Sequence, residues 1–411
     1  MPIGRLTDKI AAVFVPVVVV IALLAAIIWY FAGPEPALSH ALVVLTSVLI
    51  IACPCALGLA TPMSIMVSVG RAASMGVLVK NGEALQTASK VSCVVLDKTG
   101  TITEGKPAVT QVDIFDDAFD ERELLRAVAS LEQHSGHPLA AALLDAAKAK
   151  EVVLSEPQGF DYRQGQGLLG QFEGRQWAVG NSKLMDALGI RLTETHQARL
   201  EQGAALGHTQ VLVARDNQLL ALVGISDPIK ADAKEAMAAL KAQGKRLVLL
   251  SGDNQVTAEA VARQVGIEEV IAGVLPDEKQ SWVSKFQAQG EVVAMVGDGI
   301  NDAPALMAAD VGIAMGSGTE IAIESADLTL LNPRLGSLAG AFALSRATLG
   351  NIKQNLFGAF IYNTLGIPIA AGVLYPLTGI LLSPVVAGAA MALSSLTVVT
   401  NANRLRRQSL D

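Results

Sequence analysis

The pattern of apolar residues predicts four membrane-spanning helices, because four long stretches of the chain contain no charged residue. These stretches are residues 10–32, 41–62, 356–373 and 380–399. A helix needs about 20 predominantly apolar residues to cross the hydrocarbon core of a bilayer, and each stretch is close to that length. We therefore expect two helical hairpins with short turns, separated by a large and more polar insert.

The positions of the basic residues predict how these hairpins are oriented. Arg5 and Lys9 precede the first stretch, Arg71 and Lys80 follow the second, and three arginines follow the fourth between residues 404 and 407. The short turns at residues 33–40 and 375–379 contain no lysine or arginine. By the positive-inside tendency, we expect both termini and the insert to face the cytoplasm.

The insert alternates between strand and helix patterns. Short apolar runs at residues 91–96, 246–250 and 291–296 are typical of buried parallel strands, and each ends just before a Gly/Asp turn. Helical patterns lie between them, as at residues 231–243 and 280–289. This order predicts a doubly wound parallel sheet, with residues 109–223 forming a second, inserted domain.

The composition fits a membrane protein with a soluble insert. Of 411 residues, 51% are hydrophobic and only 17% are charged, whereas soluble domains carry about 25% charged residues. The formal net charge of −7 argues against a nucleic-acid-binding protein, since no basic surface is available to neutralise phosphates. Cys53, Cys55 and Cys93 are expected to be reduced, because they lie in a membrane span and a cytoplasmic strand.

The turns that follow the predicted strands carry residues suited to phosphoryl transfer. The motifs are DKTGTIT from Asp97, SGDN from Ser251 and GDGIND from Gly297, with an isolated lysine at Lys279. A carboxylate such as Asp97 can act as the nucleophile if further carboxylates hold Mg²⁺ and a lysine supplies positive charge. Each turn alone is more simply read as a turn former, but the motifs occurring together and in this order favour the chemical interpretation.

These motifs, together with Asp227-Pro228 and GDGINDAPAL from Gly297, resemble those of the P-type ATPases, a branch of the haloacid-dehalogenase-like phosphotransferases. The resemblance implies an α/β haloacid-dehalogenase-like phosphorylation domain (a doubly wound parallel sheet), an inserted α+β nucleotide-binding domain, and α-helical transmembrane hairpins. It implies ATP and Mg²⁺ as cofactors. The residues it assigns to the chemistry are Asp97, Lys98, Thr99, Thr101 and Lys279 for catalysis, Ser251, Gly252 and Asp253 for the nucleotide, and Asp97, Thr99, Asp298 and Asp302 for Mg²⁺.

The same resemblance implies where the adenine side of ATP binds. In the heavy-metal-transporting subgroup, the residues matching Glu132, His137, Gly165 and Gly167 contact the nucleotide. For Glu132 alone, a solvated helix residue is an equally good interpretation. The order of His137-Pro138 and Gly165-Gln166-Gly167 within the insert favours the nucleotide interpretation for the other three.

The predicted domains follow from these assignments. They are a transmembrane hairpin with Cys-Pro-Cys (residues 1–62), a cytoplasmic connector (63–90), a phosphorylation domain (91–108 and 224–335), a nucleotide-binding domain (109–223), a second transmembrane hairpin (350–400) and a cytoplasmic tail (401–411).

Two cysteines inside a membrane span favour a soft transported cation, because thiolates select Cu(I) or zinc. Pro54 between them would break the helix and expose both thiols. The further intramembrane polar or soft residues are Tyr362, Asn363, Met391, Ser394 and Ser395. Polar residues at this depth are candidates for function, although close helix packing could explain the serines and core filling could explain Met391.

The combination of Cys-Pro-Cys, Tyr-Asn and Met-x-x-Ser-Ser is similar to the copper(I)-exporting members of the subgroup. A zinc or cadmium exporter, the alternative, would be expected to place a carboxylate in the last span, and residues 380–399 contain none. The resemblance therefore implies export of Cu⁺, with Ag⁺ as its mimic, across a bacterial inner membrane. It also implies membrane lipid and a copper-donating chaperone as partners.

The sequence departs from the family pattern in one important respect. These 411 residues contain neither the Thr-Gly-Glu of the actuator domain nor a Cys-x-x-Cys metal-binding module. We therefore expect the catalytic half of a Cu⁺ exporter, with the actuator and first spans supplied by a separate polypeptide or lost by truncation. A non-transporting fragment that binds nucleotide and metal is the alternative from a different functional class.

Overall fold

The computed structural model describes residues 3–116, 119–133, 135, 138–163, 165–332 and 334–409. The helices are α1 Ile3–Ala32, α2 Ala37–Ile51, α3 Cys55–Ser74, α4 Gly82–Ala88, α5 Glu121–Glu132, α6 Pro138–Ala149, α7 Ser182–Ala187, α8 Glu194–Ala205, α9 Ala233–Ala242, α10 Gln255–Val265, α11 Pro276–Ala288, α12 Ala303–Ala308, α13 Glu320–Ser325, α14 Gly336–Ala370, α15 Tyr375–Thr378 and α16 Pro384–Asn403. The strands are β1 Val77–Val79, β2 Cys93–Asp97, β3 Ala108–Ile114, β4 Gln158–Arg163, β5 Gly167–Phe172, β6 Arg175–Gly180, β7 Thr209–Arg215, β8 Gln218–Ser226, β9 Arg246–Leu250, β10 Glu269–Ile271, β11 Val293–Gly297, β12 Val311–Met315 and β13 Leu328–Leu330.

The chain divides into two compact units. The first contains the described residues up to Val91, the segment Asp327–Leu331 and the described residues from Ser337 onward. The second contains Ser92–Ala326 and Asn332–Gly336. The first unit holds the long apolar helices and one antiparallel strand pair, β1 with β13, and the second holds the strand-and-helix insert.

Three helical segments of the described chain are long and apolar enough to cross a membrane. They are Lys9–Ala32, Ala37–Ser74 and Pro384–Arg406. The middle one includes both α2 and α3, which are separated at residues 52–54, so Pro54 stands at a helix break as predicted. The domain boundary predicted at residue 62 falls inside α3, so the helix continues from the predicted hairpin into the predicted connector.

The predicted third span, residues 356–373, is not among these three segments. It occupies the C-terminal part of α14, which ends at Ala370. Polar residues such as Asn355 and Asn363 lower the hydropathy of this helix, and both side chains are buried. A helix that buries polar side chains inside a helical bundle can thus lack the uniformly apolar sequence of a typical membrane span.

The sheet of the second unit has a parallel core in the order β12-β11-β2-β9-β10. The three strands expected from the sequence are present as β2, β9 and β11, with α9 and α11 close to the predicted helices. The chain moves from β2 to one side through β9 and β10, then returns to the other side with β11 and β12. The strand order therefore reverses at β2, which is where ligands bind in folds of this class.

A second, six-stranded antiparallel sheet lies in the same unit, in the order β3-β8-β7-β6-β5-β4. Helices α5 and α6 cover one face, where Leu124, Val128 and Leu143 pack with Leu168 and Val213 in one apolar cluster. The strands that enter and leave this sheet begin at Ala108 and end at Ser226, within three residues of the boundaries proposed for the inserted domain.

Candidate active site

The carboxyl ends of the parallel strands bring the sequence motifs to one edge of the sheet. In the register of β2 with β9, Asp97 lies opposite Leu250, so Ser251 follows directly beside it. In the register of β11 with β2, Val296 lies opposite Leu96, which places Gly297 and Asp298 on the other side. The hydrogen-bonded register of a parallel sheet therefore assembles residues that are far apart in sequence.

Lys279 joins two buried carboxylates at this edge. Its ammonium Nζ lies 2.6 Å from Oδ1 of Asp97 and 2.7 Å from Oδ1 of Asp302. The side chains of Lys279 and Asp97 are each 8% exposed and that of Asp302 is 2% exposed. Lys279 is the fourth residue of α11, so Pro276 at the start of this helix fixes the turn from which it reaches Asp97.

A third carboxylate completes a cluster that suits a hard divalent cation. One oxygen from each of Asp97, Asp298 and Asp302 can be chosen such that all three lie within 4.8 Å of one another. Carboxylate oxygens are the ligands that Mg²⁺ prefers. The backbone N–H of Gly299 donates to Oδ2 of Asp302 at 3.1 Å, which holds that carboxylate in place.

Gly100 is required by the close approach of Asp298. Its φ of +70° is in the left-handed region, and a Cβ built on it would lie 1.7 Å from Oδ2 of Asp298. No residue with a side chain fits there without displacing the carboxylate, and a left-handed backbone favours glycine in any case. The glycine of the DKTGTIT motif therefore serves the geometry of the carboxylate cluster.

The other predicted residues of the phosphorylation loop have different environments. Lys98 is buried and forms an ion pair with Asp253, whose backbone N–H in turn donates to Ser251 Oγ at 3.1 Å. Thr101 is buried, and its Oγ1 has no hydrogen-bond partner in the described part of the chain. Thr99 is exposed, and so is Gly252. Lys98, Ser251 and Asp253 therefore form one connected group, while Thr99 and Gly252 are open to solvent.

The structure also reveals residues near the loop to which the sequence had given no role. Lys230 is buried, and its Nζ donates to the carbonyl oxygen of Gly100 at 2.7 Å. The carboxylate of Asp227 accepts hydrogen bonds from the Thr103 hydroxyl and, at 3.0 Å, from the backbone N–H of Lys106. Asp227 and Lys230 belong to one short segment, DPIK, and this segment was the feature of the sequence from which both could have been selected.

The electrostatics of the cluster favour a bound cation. Burial, reinforced by the neighbouring carboxylate of Asp302, raises the pKa of Asp97 to about 7 although Lys279 opposes the shift. Burial and Asp302 also raise the pKa of Asp298. Burial acts to lower the pKa of Lys279, but Asp97 and Asp302 outweigh it and raise that pKa overall. The positive charges of Lys279 and Lys230 thus do not offset the burial and mutual repulsion of these carboxylates.

A cavity of about 230 Å³ in the inserted domain brings together three of the four residues expected to contact the adenine side of the nucleotide. Glu132, Gly165 and Gly167 line it, together with Leu139 and Thr209. Glu132 is buried rather than solvated, which removes the alternative interpretation of this residue as an exposed helix position. His137 lies outside the residues that the structure describes.

Backbone geometry explains the second glycine of the cavity. Gly167 has a φ of +144°, and a Cβ there would lie 2.2 Å from the carbonyl oxygen of Val179. The side-chain amide of Asn181, which sequence reasoning had not singled out, donates to the carbonyl oxygen of Gly165 at 2.9 Å. Asn181 therefore holds the glycine turn against the start of α7.

The prediction that all three cysteines are reduced is wrong for two of them. Cys53 and Cys55 are joined by a disulfide, whereas Cys93 is a buried free cysteine. The break between α2 and α3 brings the Cα atoms of Cys53 and Cys55 to 5.4 Å, within the normal reach of a disulfide. A metal ion can bind here only after reduction, because the thiolate is the ligand.

The remaining predicted metal ligands differ in their exposure. Met391 is buried in an apolar cluster against which Cys53 packs. Asn363 is buried, and its Oδ1 has no hydrogen-bond partner among the described residues. Ser395 is partly buried, and Tyr362 is 39% exposed on the outer side of α14. Met391 and Asn363 are therefore the predicted ligands that the helices enclose most completely.

Comparisons with known proteins identify the family. The sequence profile of the haloacid dehalogenase-like hydrolases matches residues 91–310. The chain is 55% identical to a copper-exporting P-type ATPase of Vibrio cholerae over 98% of its length, and 52% identical to a silver exporting P-type ATPase of Salmonella typhimurium, again over 98%. These alignments cover 44% and 49% of the two relatives, so the chain spans about half the length of the curated relatives it matches.

A solved structure agrees with these relatives. The crystal structure of a zinc-transporting PIB-type ATPase in its E2.Pi state superposes with a TM-score of 0.84 at 34% identity, over 97% of this chain and 64% of that one. Together with the profile match over more than half of the residues, these likenesses agree with the fold described above. The chain belongs to the haloacid dehalogenase-like hydrolase family and is, over almost its whole length, a relative of the heavy-metal P-type ATPases.

Proposed function

We propose that this chain carries the phosphorylation, nucleotide and ion-binding parts of an ATP-driven Cu⁺ exporter, with Ag⁺ as an alternative cargo. The observation that carries the proposal is the buried Asp97 held by Lys279 next to Asp298 and Asp302. An acceptor carboxylate with fixed positive charge and a cation cluster is what phosphoryl transfer requires.

In this proposal, Asp97 attacks the terminal phosphorus of ATP. One oxygen of its carboxylate forms the new P–O bond while the bond to the β-phosphate oxygen breaks, which leaves an aspartyl phosphate and ADP. Mg²⁺, when bound by Asp97, Asp298 and Asp302, supplies the charge that favours an ionised Asp97 and neutralises phosphate oxygens. Lys279 stabilises the negative charge that accumulates around the phosphoryl group.

The inserted domain would hold the nucleotide while the loop residues orient its phosphates. Glu132, Gly165 and Gly167 line the cavity proposed for adenine. Lys98, paired with Asp253, lies beside Asp97 and would approach the phosphates from the β9 side. His137 is assigned to the nucleotide by family resemblance alone.

We further propose that Cu⁺ is bound by the reduced thiols of Cys53 and Cys55, with Met391 as a soft third ligand. Met391 belongs to the same apolar cluster as Cys53, which supports this choice. Asn363 and Ser395 would complete the polar lining. The absence of a carboxylate from residues 380–399 favours a monovalent cation over Zn²⁺. A zinc or cadmium pump is the second candidate, because the structural relative is a zinc transporter.

Turnover requires a further residue, because the aspartyl phosphate must be hydrolysed by a positioned water. We propose that Asp298 and Asp302 are committed to the cation and that the activating carboxylate comes from outside the phosphorylation domain. These 411 residues contain no Thr-Gly-Glu, so an actuator on a separate segment or polypeptide would have to supply it. A copper-donating chaperone would deliver the ion from the cytoplasm, the side on which we place the catalytic unit.

The test is phosphorylation of the reduced full chain by radiolabelled ATP with Mg²⁺, with and without Cu⁺. We expect an acid-stable, hydroxylamine-sensitive phosphoenzyme that Asp97→Asn abolishes and the exposed-loop variant Asp216→Asn retains. Label that persists in Asp97→Asn would refute the acceptor assignment. If labelling of the wild type requires Zn²⁺ rather than Cu⁺, and Cys53→Ser abolishes this requirement, the zinc or cadmium pump is favoured.

A further inference from the structure

A polar cavity of about 400 Å³ lies in the first unit, away from the thiols and the carboxylate cluster. Its lining comes from the N-terminal half of α14 and from the residues that follow α16, and includes Arg346, Asn351, Gln354, Arg404 and Gln408. The described residues that line it include two arginines and neither aspartate nor glutamate. This lining therefore carries positive charge and many hydrogen-bond donors.

The cavity lies where the helices reach the membrane surface. On α14, its lining residues precede the uncharged stretch that begins at residue 356. On the other side, the apolar segment Pro384–Arg406 ends at the cavity, and Arg404 stands in its last turn. Both arginines are exposed. Arg404, at the end of a membrane helix, is at the depth of the lipid phosphates, and Arg346 lines the same cavity.

A hydrogen-bond network holds two of the lining residues, Asn351 and Arg404, in place. Nη1 of Arg404 donates to Asn401 Oδ1 at 3.0 Å, and Asn351 Nδ2 donates to the Asn401 carbonyl oxygen at 2.8 Å. Asn401 Nδ2 donates to Asn355 Oδ1 at 2.9 Å, and Ser64 Oγ donates to Asn351 Oδ1 at 2.8 Å. Ser64, Asn351 and Asn355 are buried. This network joins α3, α14 and α16, and its members Asn351 and Arg404 line the cavity.

We propose that this cavity binds the phosphate of an anionic phospholipid headgroup, with Arg346 and Arg404 as its charged ligands. A guanidinium presents five N–H donors in a fixed fork that matches a phosphate. The hydrogen bond to Asn401 uses only one nitrogen, Nη1, of the Arg404 guanidinium. The volume is in the range of small-molecule sites. Basic pockets between membrane helices at the membrane surface are suited to such headgroups.

Occupancy of this cavity would act on the membrane helices together. The hydrogen-bond network fixes α3, α14 and α16 to one another, and a phosphate bridging Arg346 on α14 to Arg404 after α16 adds a further link. Such a ligand stabilises the arrangement in which it binds, by mass action. We therefore expect anionic lipid to raise the thermal stability of the full chain, independently of copper and ATP.

The experiment compares the full chain in nanodiscs of phosphatidylcholine with nanodiscs containing 30% phosphatidylglycerol, at about 0.1 M salt. The readouts are the melting temperature and the phosphatidylglycerol retained on mild detergent release, counted by native mass spectrometry. The variants are Arg346→Gln and Arg404→Gln, and the matched control is Arg406→Gln, an exposed arginine in the same tail that does not line the cavity. A third arm adds inorganic phosphate to nanodiscs of phosphatidylcholine alone.

We expect phosphatidylglycerol to raise the melting temperature of wild type and Arg406→Gln. Each cavity variant should lose most of that increment and bind the lipid about fivefold more weakly, as the removal of one arginine near the surface predicts. Because only the increment is compared, a general destabilisation by a variant does not affect the result. Equal increments in all four proteins would overturn the site. If inorganic phosphate without the lipid raised the melting temperature equally, the lipid headgroup would be overturned as the source of the bound phosphate group.

Discussion

Replacing Lys279 by methionine tests the electrostatic account of the carboxylate cluster. The substitution keeps the length of the side chain and removes the ammonium that lies 2.6 and 2.7 Å from the oxygens of two carboxylates, Asp97 and Asp302. Breaking a buried ion pair by removing one partner costs about 3–5 kcal/mol, because the remaining charge stays buried without compensation. We therefore expect Lys279→Met to lower the free energy of unfolding of the second unit by about that amount at pH 8 without Mg²⁺.

The loss should be smaller at pH 5, because the raised pKa of Asp97, about 7, lets that carboxyl hold a proton and carry no charge. It should also be smaller when Asp302 is replaced by asparagine. We expect Lys279→Met combined with Asp302→Asn to be more stable than the sum of the two single effects predicts, with an interaction of about 1–3 kcal/mol between them.

The assay is urea denaturation of the full chain in detergent, followed through the emission of Trp282. This tryptophan lies on α11, the helix that carries Lys279, and packs against the core of the parallel sheet. Replacing Trp29 and Trp177 by phenylalanine in all proteins isolates its signal. The control is Lys150→Met, which removes an exposed ion pair with Glu121 and should cost about 0–1 kcal/mol.

Two results would refute the reasoning. If Lys279→Met is no more destabilising than Lys150→Met, the ammonium is not compensating buried charge. If the effects of Lys279→Met and Asp302→Asn are additive at pH 8, the two side chains are not energetically coupled despite their distance. An effect that is equal at pH 5 and pH 8 would instead show that Asp97 does not titrate between these values.

Two further predictions concern the same cluster. Gly100→Ala should displace Asp298 and reduce phosphoenzyme formation more than tenfold. The control Gly174→Ala, at a similar φ of +75° with open space around it, should cost only about 1 kcal/mol of stability and leave labelling unchanged. Similar labelling of both variants would contradict the steric account. Without Mg²⁺, stability should fall as the pH rises from about 4 to about 7, because folded Asp97 retains a proton that the unfolded chain releases. Thermal unfolding with a chelator, compared with Asp97→Asn, measures this dependence, and an unchanged profile in the variant would contradict it.

The parallel sheet and its catalytic edge could be predicted because the information is local. Each strand is a short apolar run, and each ends in a motif whose residues must appear at the carboxyl end of that strand. Once the strands are parallel, their register brings Asp97, Ser251 and Asp298 together. Strand register does not place Lys279, which could be assigned to this site only from the chemistry of phosphoryl transfer and the family resemblance. It lies on a helix, and its approach to Asp97 depends on how α11 packs.

The hydrogen bonds among the membrane helices could not be predicted in this way. Ser64, Asn351, Asn355 and Asn401 lie on three helices, and their partners are up to 291 residues apart in sequence. Polar residues in an apolar helix indicate only that partners exist somewhere, because an unpaired polar group in this environment is costly. Which partners are chosen depends on the rotation and depth of each helix.

The Tyr362-Asn363 pair shows how the structure narrows a motif to one residue. Successive residues of an α-helix point about 100° apart, so the two side chains face different directions. Tyr362 is 39% exposed, while Asn363 is 5% exposed and its Oδ1 has no partner in the described part of the chain. A buried acceptor without a partner costs free energy, which binding a cation would recover. Asn363, rather than Tyr362, is therefore the residue of this motif that we expect to contact the ion in this conformation.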